Sequence, residues 1–102
     1  MAVSARHGIN IPTIGHAGDG NIHPLIEFDS TDPEAVATAR RAFADIITLS
    51  LELGGTIAAE HGVGTLKREF LSLELDPIQL QIQRDVRRTL DPGGLFNPGK
   101  AL

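Results

Sequence analysis

Cysteine, tryptophan and tyrosine are all missing from this chain, and methionine occurs once. Without thiols there is no disulfide, no thiolate-held metal and no thiol nucleophile, and a reducing cytoplasm is permitted. No apolar run approaches the length that spans a bilayer, and the opening Met1-Ala2-Val3-Ser4-Ala5-Arg6 has no signal-peptide core. Positive charge is also in short supply: nine Lys and Arg against thirteen Asp and Glu leave a formal net charge of -4. That balance speaks against a nucleic-acid surface, and the pairs Arg40-Arg41 and Arg87-Arg88 read as solvated helix faces. A hydrophobic fraction of 41% and a charged fraction of 22% over 102 residues fit one small folded domain.

One stretch is dense in chemistry. Gly15-His16-Ala17-Gly18-Asp19-Gly20-Asn21-Ile22-His23 puts two imidazoles, a carboxylate, an amide and three glycines into nine positions. Gly18 and Gly20 flank Asp19, which suggests a tight, exposed loop. Ile9, Ile11 and Ile14 precede the loop, and Ile22, Leu25, Ile26 and Phe28 follow it. The pattern reads as two strands joined by that loop, with His16 closing the first and His23 near the opening of the second. Pro12 and Pro24 remove ladder donors, so they belong at strand ends, bulges or an edge. The plain alternative is an ordinary Asp-Gly hairpin whose histidines only make surface or core hydrogen bonds.

Residues 1 to 8 carry little pattern, and His7 reads as a loop histidine without a role. Too little sequence stands ahead of the first strand to complete a sheet, which points to part of something larger. Ser30-Thr31-Asp32-Pro33-Glu34 starts a helix: a capping group, a proline where its missing N–H costs nothing, and an acid at the positive end of the dipole. Val36, Ala39, Phe43, Ile46, Ile47, Ser50 and Leu53 form its apolar stripe, and Gly54-Gly55 stops it. Thr56-Ile57-Ala58-Ala59 fits another short strand, delivering Glu60-His61 into Gly62-Val63-Gly64, the second dense cluster. Thr65 to Leu75 fits a short helix. Asp76-Pro77 caps a last one, with Ile78, Ile82, Val86 and Leu90 at every fourth position, ended by Asp91-Pro92-Gly93-Gly94. The tail from Leu95 to Leu102 is irregular, and nothing obvious covers Leu95 and Phe96. The expected class is α+β, a small antiparallel sheet with helices packed on one face.

Two imidazole nitrogens and one carboxylate, from His16, His23 and Glu60, are a usual ligand set for an open divalent metal site that keeps positions free for water or substrate. Neighbours on an extended segment point apart, so from a straight strand Glu60 and His61 do not readily both ligate, a constraint that a turn at Gly62 would relax; one would ligate and the other serve proton transfer. Asp19 competes as a ligand or orients an imidazole from behind.

The histidine stretch, then Gly54-Gly55-Thr56 leading to Glu60-His61-Gly62-Val63-Gly64 with Lys67, then Leu90-Asp91-Pro92 and Asn97-Pro98-Gly99-Lys100, together resemble the C-terminal part of FAD-linked 2-hydroxy-acid oxidoreductases. That group includes the flavin-bearing glycolate oxidases, D-lactate dehydrogenase and D-2-hydroxyglutarate dehydrogenase, of the vanillyl-alcohol oxidase type. The resemblance implies that residues 1–102 are the C-terminal part of a substrate or cap domain, itself ferredoxin-like, whose N-terminal FAD-binding domain is absent. It implies FAD held mainly by that other domain or subunit, a small 2-hydroxy acid as substrate, and a divalent metal, zinc or similar, on His16, His23 and Glu60. It further implies His61 as catalytic base and Asn21 as a substrate or loop contact. Asn97 and Lys100 would lie in a segment that docks on the flavin domain or touches the cofactor. Lys67 is given a pairing role with Glu69 or Glu60 in preference to contact with a substrate carboxylate. The implied location is cytoplasmic, with a peripheral place at the inner membrane as the variant. The chain alone would be inactive. Two rivals stay open: a free-standing metal-dependent hydrolase, and a non-catalytic module that pairs with a separate flavin subunit or forms a homo-oligomer through its apolar tail.

Overall fold

The computed structural model describes residues 2–102. The chain folds as two compact units, Met1–Gly54 and Gly55–Leu102.

The first unit is built on its long helix. A short helix α1 (Ala2–His7) is followed by a two-stranded antiparallel hairpin, β1 (Thr13–His16) and β2 (Asn21–Pro24), and then by α2 (Pro33–Glu52). The α+β class therefore holds. Asp32 caps α2 as expected, its side chain accepting from the Glu34 amide at 2.9 Å, with Pro33 in the first turn; such a cap contributes about 1 kcal/mol. Gly54, at φ +79°, follows the Leu53 C-cap. Val3, Ile11 and Ala42 form the buried centre, with Ile9, Ile26, Ile46 and Leu49 packed against it. Of the foreseen stripe, Ala39 and Ile47 are buried, whereas Leu53 is 78% exposed and the most buried position, Ala42, was not in it. Alanine marks the place where other parts of the unit come closest, and its small size is what lets them.

The start of the chain corrects the sequence reading. Ala2–His7 is helical and packs on α2, and His7 has a partner: its Nε2 lies 2.8 Å from Asp45 Oδ2, which also accepts from Arg6 at 2.9 Å. These bonds, His7 first and Arg6 second, hold the Asp45 carboxyl below its ordinary value of 3.8.

In the hairpin, Thr13 pairs with Pro24, Ile14 with His23, Gly15 with Ile22 and His16 with Asn21. The same register continues below the strands, where the Leu25 amide donates to Pro12 O at 2.8 Å and the Glu27 amide to Asn10 O at 3.3 Å. Pro24 ends β2 and Pro12 just precedes β1, the edge positions that their missing N–H groups demand. Ile11 and Ile26, at the base, carry the packing, while residues 13–20 are all exposed.

In the second unit, Thr56–Ala59 is not a strand but irregular chain, tied down by the Glu74 carboxylate, which accepts from Thr56 Oγ1 and from the Ile57 amide at 2.9 Å. The helix expected over Thr65–Leu75 is shorter: a 3₁₀ turn over Arg68–Phe70, then α3 (Leu71–Glu74). Ile57 and Leu71 are its buried apolar residues. Helix α4 (Pro77–Leu90) opens on a full capping box between Asp76 and Gln79, each side chain bonding the other's amide. Its stripe is unburied: Ile78, Ile82, Val86 and Leu90 are 54–78% exposed, as are Leu95 and Phe96 beyond it at 79% and 71%.

Two outcomes follow. A Cβ on Gly15 would stand 2.7 Å from Asn21 O and 3.2 Å from Ile22 Cα, whereas one on Gly18 meets nothing within 4 Å; Gly15→Ala is expected to cost about 1–3 kcal/mol in denaturant titration and Gly18→Ala far less. Because Asp45 is depressed, its contribution to stability is complete above pH 3.8 and is lost as the pH falls from there through the lower folded value. The stability gap between the native chain and Asp45→Asn should accordingly narrow below about pH 3.8 in acid-dependent thermal melts.

Candidate functional site

Side chains of directly opposed residues in an antiparallel pair share a face, and alternate residues along each strand join them. The observed register therefore places Ile14, His16, Asn21 and His23 on one side of the hairpin. His16 and His23 are diagonal neighbours there. Their rings meet edge to face, with centroids 5.2 Å apart and planes at 85°, and one ring nitrogen of each lies within 4.8 Å of one of the other. Two nitrogens bound at about 2.1 Å to one zinc ion stand at most about 4.2 Å apart, so the pair is within small side-chain rotations of a shared cation. The donor set fits a borderline metal such as zinc.

The loop that makes this possible is held by the main chain. The Gly20 amide donates to His16 O at 3.0 Å, Gly20 adopts φ +73°, and the Asp19 carboxylate accepts from the Asn21 amide at 3.0 Å. Asp19 thus builds the turn, the local role its residue type favours. Asn21 is half-buried directly opposite His16.

Glu60 and His61 sit in the second unit, on a turn that the Gly62 amide closes onto Ala59 O at 2.9 Å. Gly62 at φ +67° and Gly64 at φ +57° supply the left-handed backbone that the turn needs. Instead of pointing apart as on a strand, the two side chains approach each other, His61 Nε2 lying 3.3 Å from Glu60 Oε1. A carboxylate only accepts, so the hydrogen of an uncharged His61 facing it belongs on Nε2 and the ring's lone pair on Nδ1. Lys67 is half-buried, and its amide donates to Val63 O at 3.2 Å.

Asn97 and Lys100 lie in the exposed tail, which is ordered by a residue that sequence reasoning assigned to a solvated face. The Arg87 guanidinium donates to four carbonyls: Lys100 and Leu102 from one nitrogen at 3.0 Å each, Phe96 and Asn97 from the other at 3.0 and 3.1 Å. Asp91 complements it by accepting from the Leu95 and Phe96 amides, each at 2.9 Å. The amide of Phe96 and then that of Leu95 hold the Asp91 carboxyl below the usual carboxylate range. The tail's backbone is unusual, with Asn97 at φ +44° and Ala101 at φ +59°, conformations that persist only where surrounding bonds impose them. The available signal was compositional. A segment rich in Pro and Gly cannot pair its carbonyls in a ladder, and an Arg on the flank of the α4 apolar stripe, beside Leu90, offers five donors to them.

Glu74 holds the approach to the Glu60–His61 turn, and its loss would strand a backbone donor at Ile57, which is 3% exposed. Glu74→Ala is expected to destabilise the chain by about 1–3 kcal/mol and to speed hydrogen exchange at the Ile57 amide selectively.

Comparison with known proteins gives one consistent result. The family described as FAD linked oxidases, C-terminal domain, matches residues 2–101. The glycolate oxidase subunit GlcD of Bacillus subtilis (strain 168) is 39% identical over 98 residues, covering 96% of this chain and 21% of its own. GlcD of Escherichia coli (strain K12) is 37% identical over 100 residues, covering 98% and 20%. The mitochondrial D-lactate dehydrogenase [cytochrome] of Arabidopsis thaliana is 42% identical over 89 residues, covering 87% and 16%. The chain thus spans about a fifth of the length of these relatives.

Proposed function

The chain belongs to the C-terminal domain family of the FAD linked oxidases, and on that premise we propose that it is the metal- and base-bearing part of a flavin-dependent enzyme that oxidises a 2-hydroxy acid to the 2-oxo acid. The observation that carries this reading is the His16–His23 pair, two imidazoles held against each other on one face of a hairpin by backbone register. The relatives named for glycolate oxidase and D-lactate dehydrogenase point to a small 2-hydroxy acid of that class.

In this reading His16, His23 and Glu60 hold a divalent cation, zinc or similar. A cation so held would supply Lewis acidity that lowers the pKa of the substrate hydroxyl and fixes its orientation. His61 takes the hydroxyl proton on Nδ1, the nitrogen turned away from Glu60. A flavin held by the partner domain would supply the acceptor for the electron pair of the C2–H bond, leaving the O–H proton on the imidazole. Asn21, opposite His16, donates a side-chain hydrogen bond to the substrate. Asn97 and Lys100 contact the flavin-binding domain or its cofactor, and the exposed stripe of α4 with Leu95 and Phe96 is the surface that receives that domain. The two strands here would be a share of a larger ferredoxin-like sheet. No helix among the described residues is long and apolar enough to cross a membrane, and the reading places the enzyme in the cytoplasm or peripherally at the inner membrane.

The same exposed apolar residues favour a second reading, a non-catalytic module that associates with a separate flavin subunit or with another copy of itself. Metal titration and turnover separate the two. Under the first reading the chain binds Zn(II), and His16→Ala, His23→Ala and Glu60→Gln each weaken binding by more than about 100-fold, beyond the loss of an outer partner. Joined to its flavin domain, it bleaches the oxidised flavin on anaerobic addition of D-lactate, glycolate or D-2-hydroxyglutarate, and His61→Ala lowers kcat by about 100- to 10,000-fold. Association without flavin reduction by any of these acids supports the module instead, and ester hydrolysis by the metal-loaded chain alone defeats both.

A further inference from the structure

We propose that Arg87 is a positioning residue for the Glu60–His61 turn, acting through the C-terminal tail; the proposal rests on the reading of His61 given above. The path is continuous within the second unit. The Arg87 guanidinium collects the carbonyls of Phe96, Asn97, Lys100 and Leu102, folding residues 96–102 into one loop. That loop is bonded in turn to the end of the Glu60–His61 turn: the Ala101 amide donates to Gly64 O at 2.7 Å. A second strut, from Arg68 Nη1 to Gly99 O at 3.4 Å, is longer and weaker.

Two features show that the tail is shaped for this contact. Ala101 donates from φ +59°, a conformation costly for any residue with a Cβ, and it lies between two of the carbonyls that Arg87 holds. Gly64, the acceptor, is left-handed at φ +57°, a conformation glycine adopts freely, so the strain in this contact sits at Ala101. Glycines at 62 and 64 leave the turn little stiffness of its own, and a bond from a braced tail supplies what they lack. Lysine cannot replace Arg87, because one ammonium cannot span four carbonyls arranged about a planar fork.

The geometry makes the flavin-facing tail and the base-bearing turn one mechanical piece. Asn97 and Lys100 are in the segment that Arg87 folds, and Gly64 is three residues from His61. A partner seated on the tail would therefore register the base as well.

The test uses the 102-residue chain and Arg87→Lys, followed by NMR. Expected are altered ring resonances of His61, broadened amides at Gly62 and Gly64, and at least tenfold faster exchange at the Ala101 amide, with the His7 ring signal and the α2 amides unchanged. Unchanged His61 and Gly62–Gly64 signals beside a loosened tail would overturn the proposal. If Arg87→Lys does not fold, Ala101→Gly serves in the opposite sense, since it keeps the amide and removes the Cβ strain at φ +59°: slower exchange at the residue-101 amide with sharpened Gly62 and Gly64 amides is required, and unchanged Gly62–Gly64 signals would overturn the proposal. In the flavin-joined protein a double-mutant cycle supplies the functional arm: Arg87→Lys should lower kcat in the presence of His61 and cost nothing more in its absence. Independent, multiplying losses would defeat a role through His61. Absence of turnover in the unaltered flavoprotein would defeat the enzymatic reading alone, and the resonance changes would still decide the coupling.

Discussion

Register is the constraint on which the histidine pair depends. With a side-chain period of two, a slip of one residue would send His23 to the opposite face from His16 and dissolve any common site. Three features prevent the slip. The loop closes on itself through the Gly20 amide and the Asp19 carboxylate. Gly15 fits against Asn21 and Ile22 with no room for a Cβ. Below the strands, Ile11 and Ile26 are anchored in the packing around Ala42. An exposed hairpin with hardly any core of its own is thus held in one alignment, which is what a site made of two diagonal side chains requires.

The second unit solves a different problem. Its candidate site residues lie on turns and a tail rather than on a ladder, so main-chain groups must be satisfied by side chains returning from elsewhere in the unit. Glu74, Asp91 and Arg87 fill this role, each taking two or more backbone or hydroxyl partners. Charge-assisted bonds of this kind are stronger than neutral ones, which suits a unit whose buried apolar side chains are as few as Ile57 and Leu71. The exposed face of α4 is the counterpart. Apolar surface that a larger core would absorb is left outward.

The candidate site was legible to different depths in its two halves. For His16 and His23 the sequence sufficed to place the ends of both strands, because glycine, aspartate and the flanking isoleucines state the turn locally. Gly20 was legible as a turn former and adopts φ +73°, but which glycine is closely approached was not. Gly18 and Gly20 drew attention as turn formers, but the close approach is at Gly15, inside the strand, and depends on the opposite backbone. For Glu60 and His61 the assumption of a strand at Thr56–Ala59 failed, since no partner ladder meets that segment in its unit and a carboxylate takes its donors instead.

What the amino-acid order determined by itself was everything decided between near neighbours: the caps at Asp32 and Asp76, the stop at Gly54, the hairpin turn and the proline edges. What only the tertiary structure decided was which distant group answers each unsatisfied one. His7 reaches Asp45, Glu74 reaches Ile57, and Arg87 gathers the tail. The reason is physical. Capping and turn preferences act over a few bonds and are written in adjacent residues, whereas a long polar side chain has many candidate partners until the folded backbone brings one set within about 3 Å.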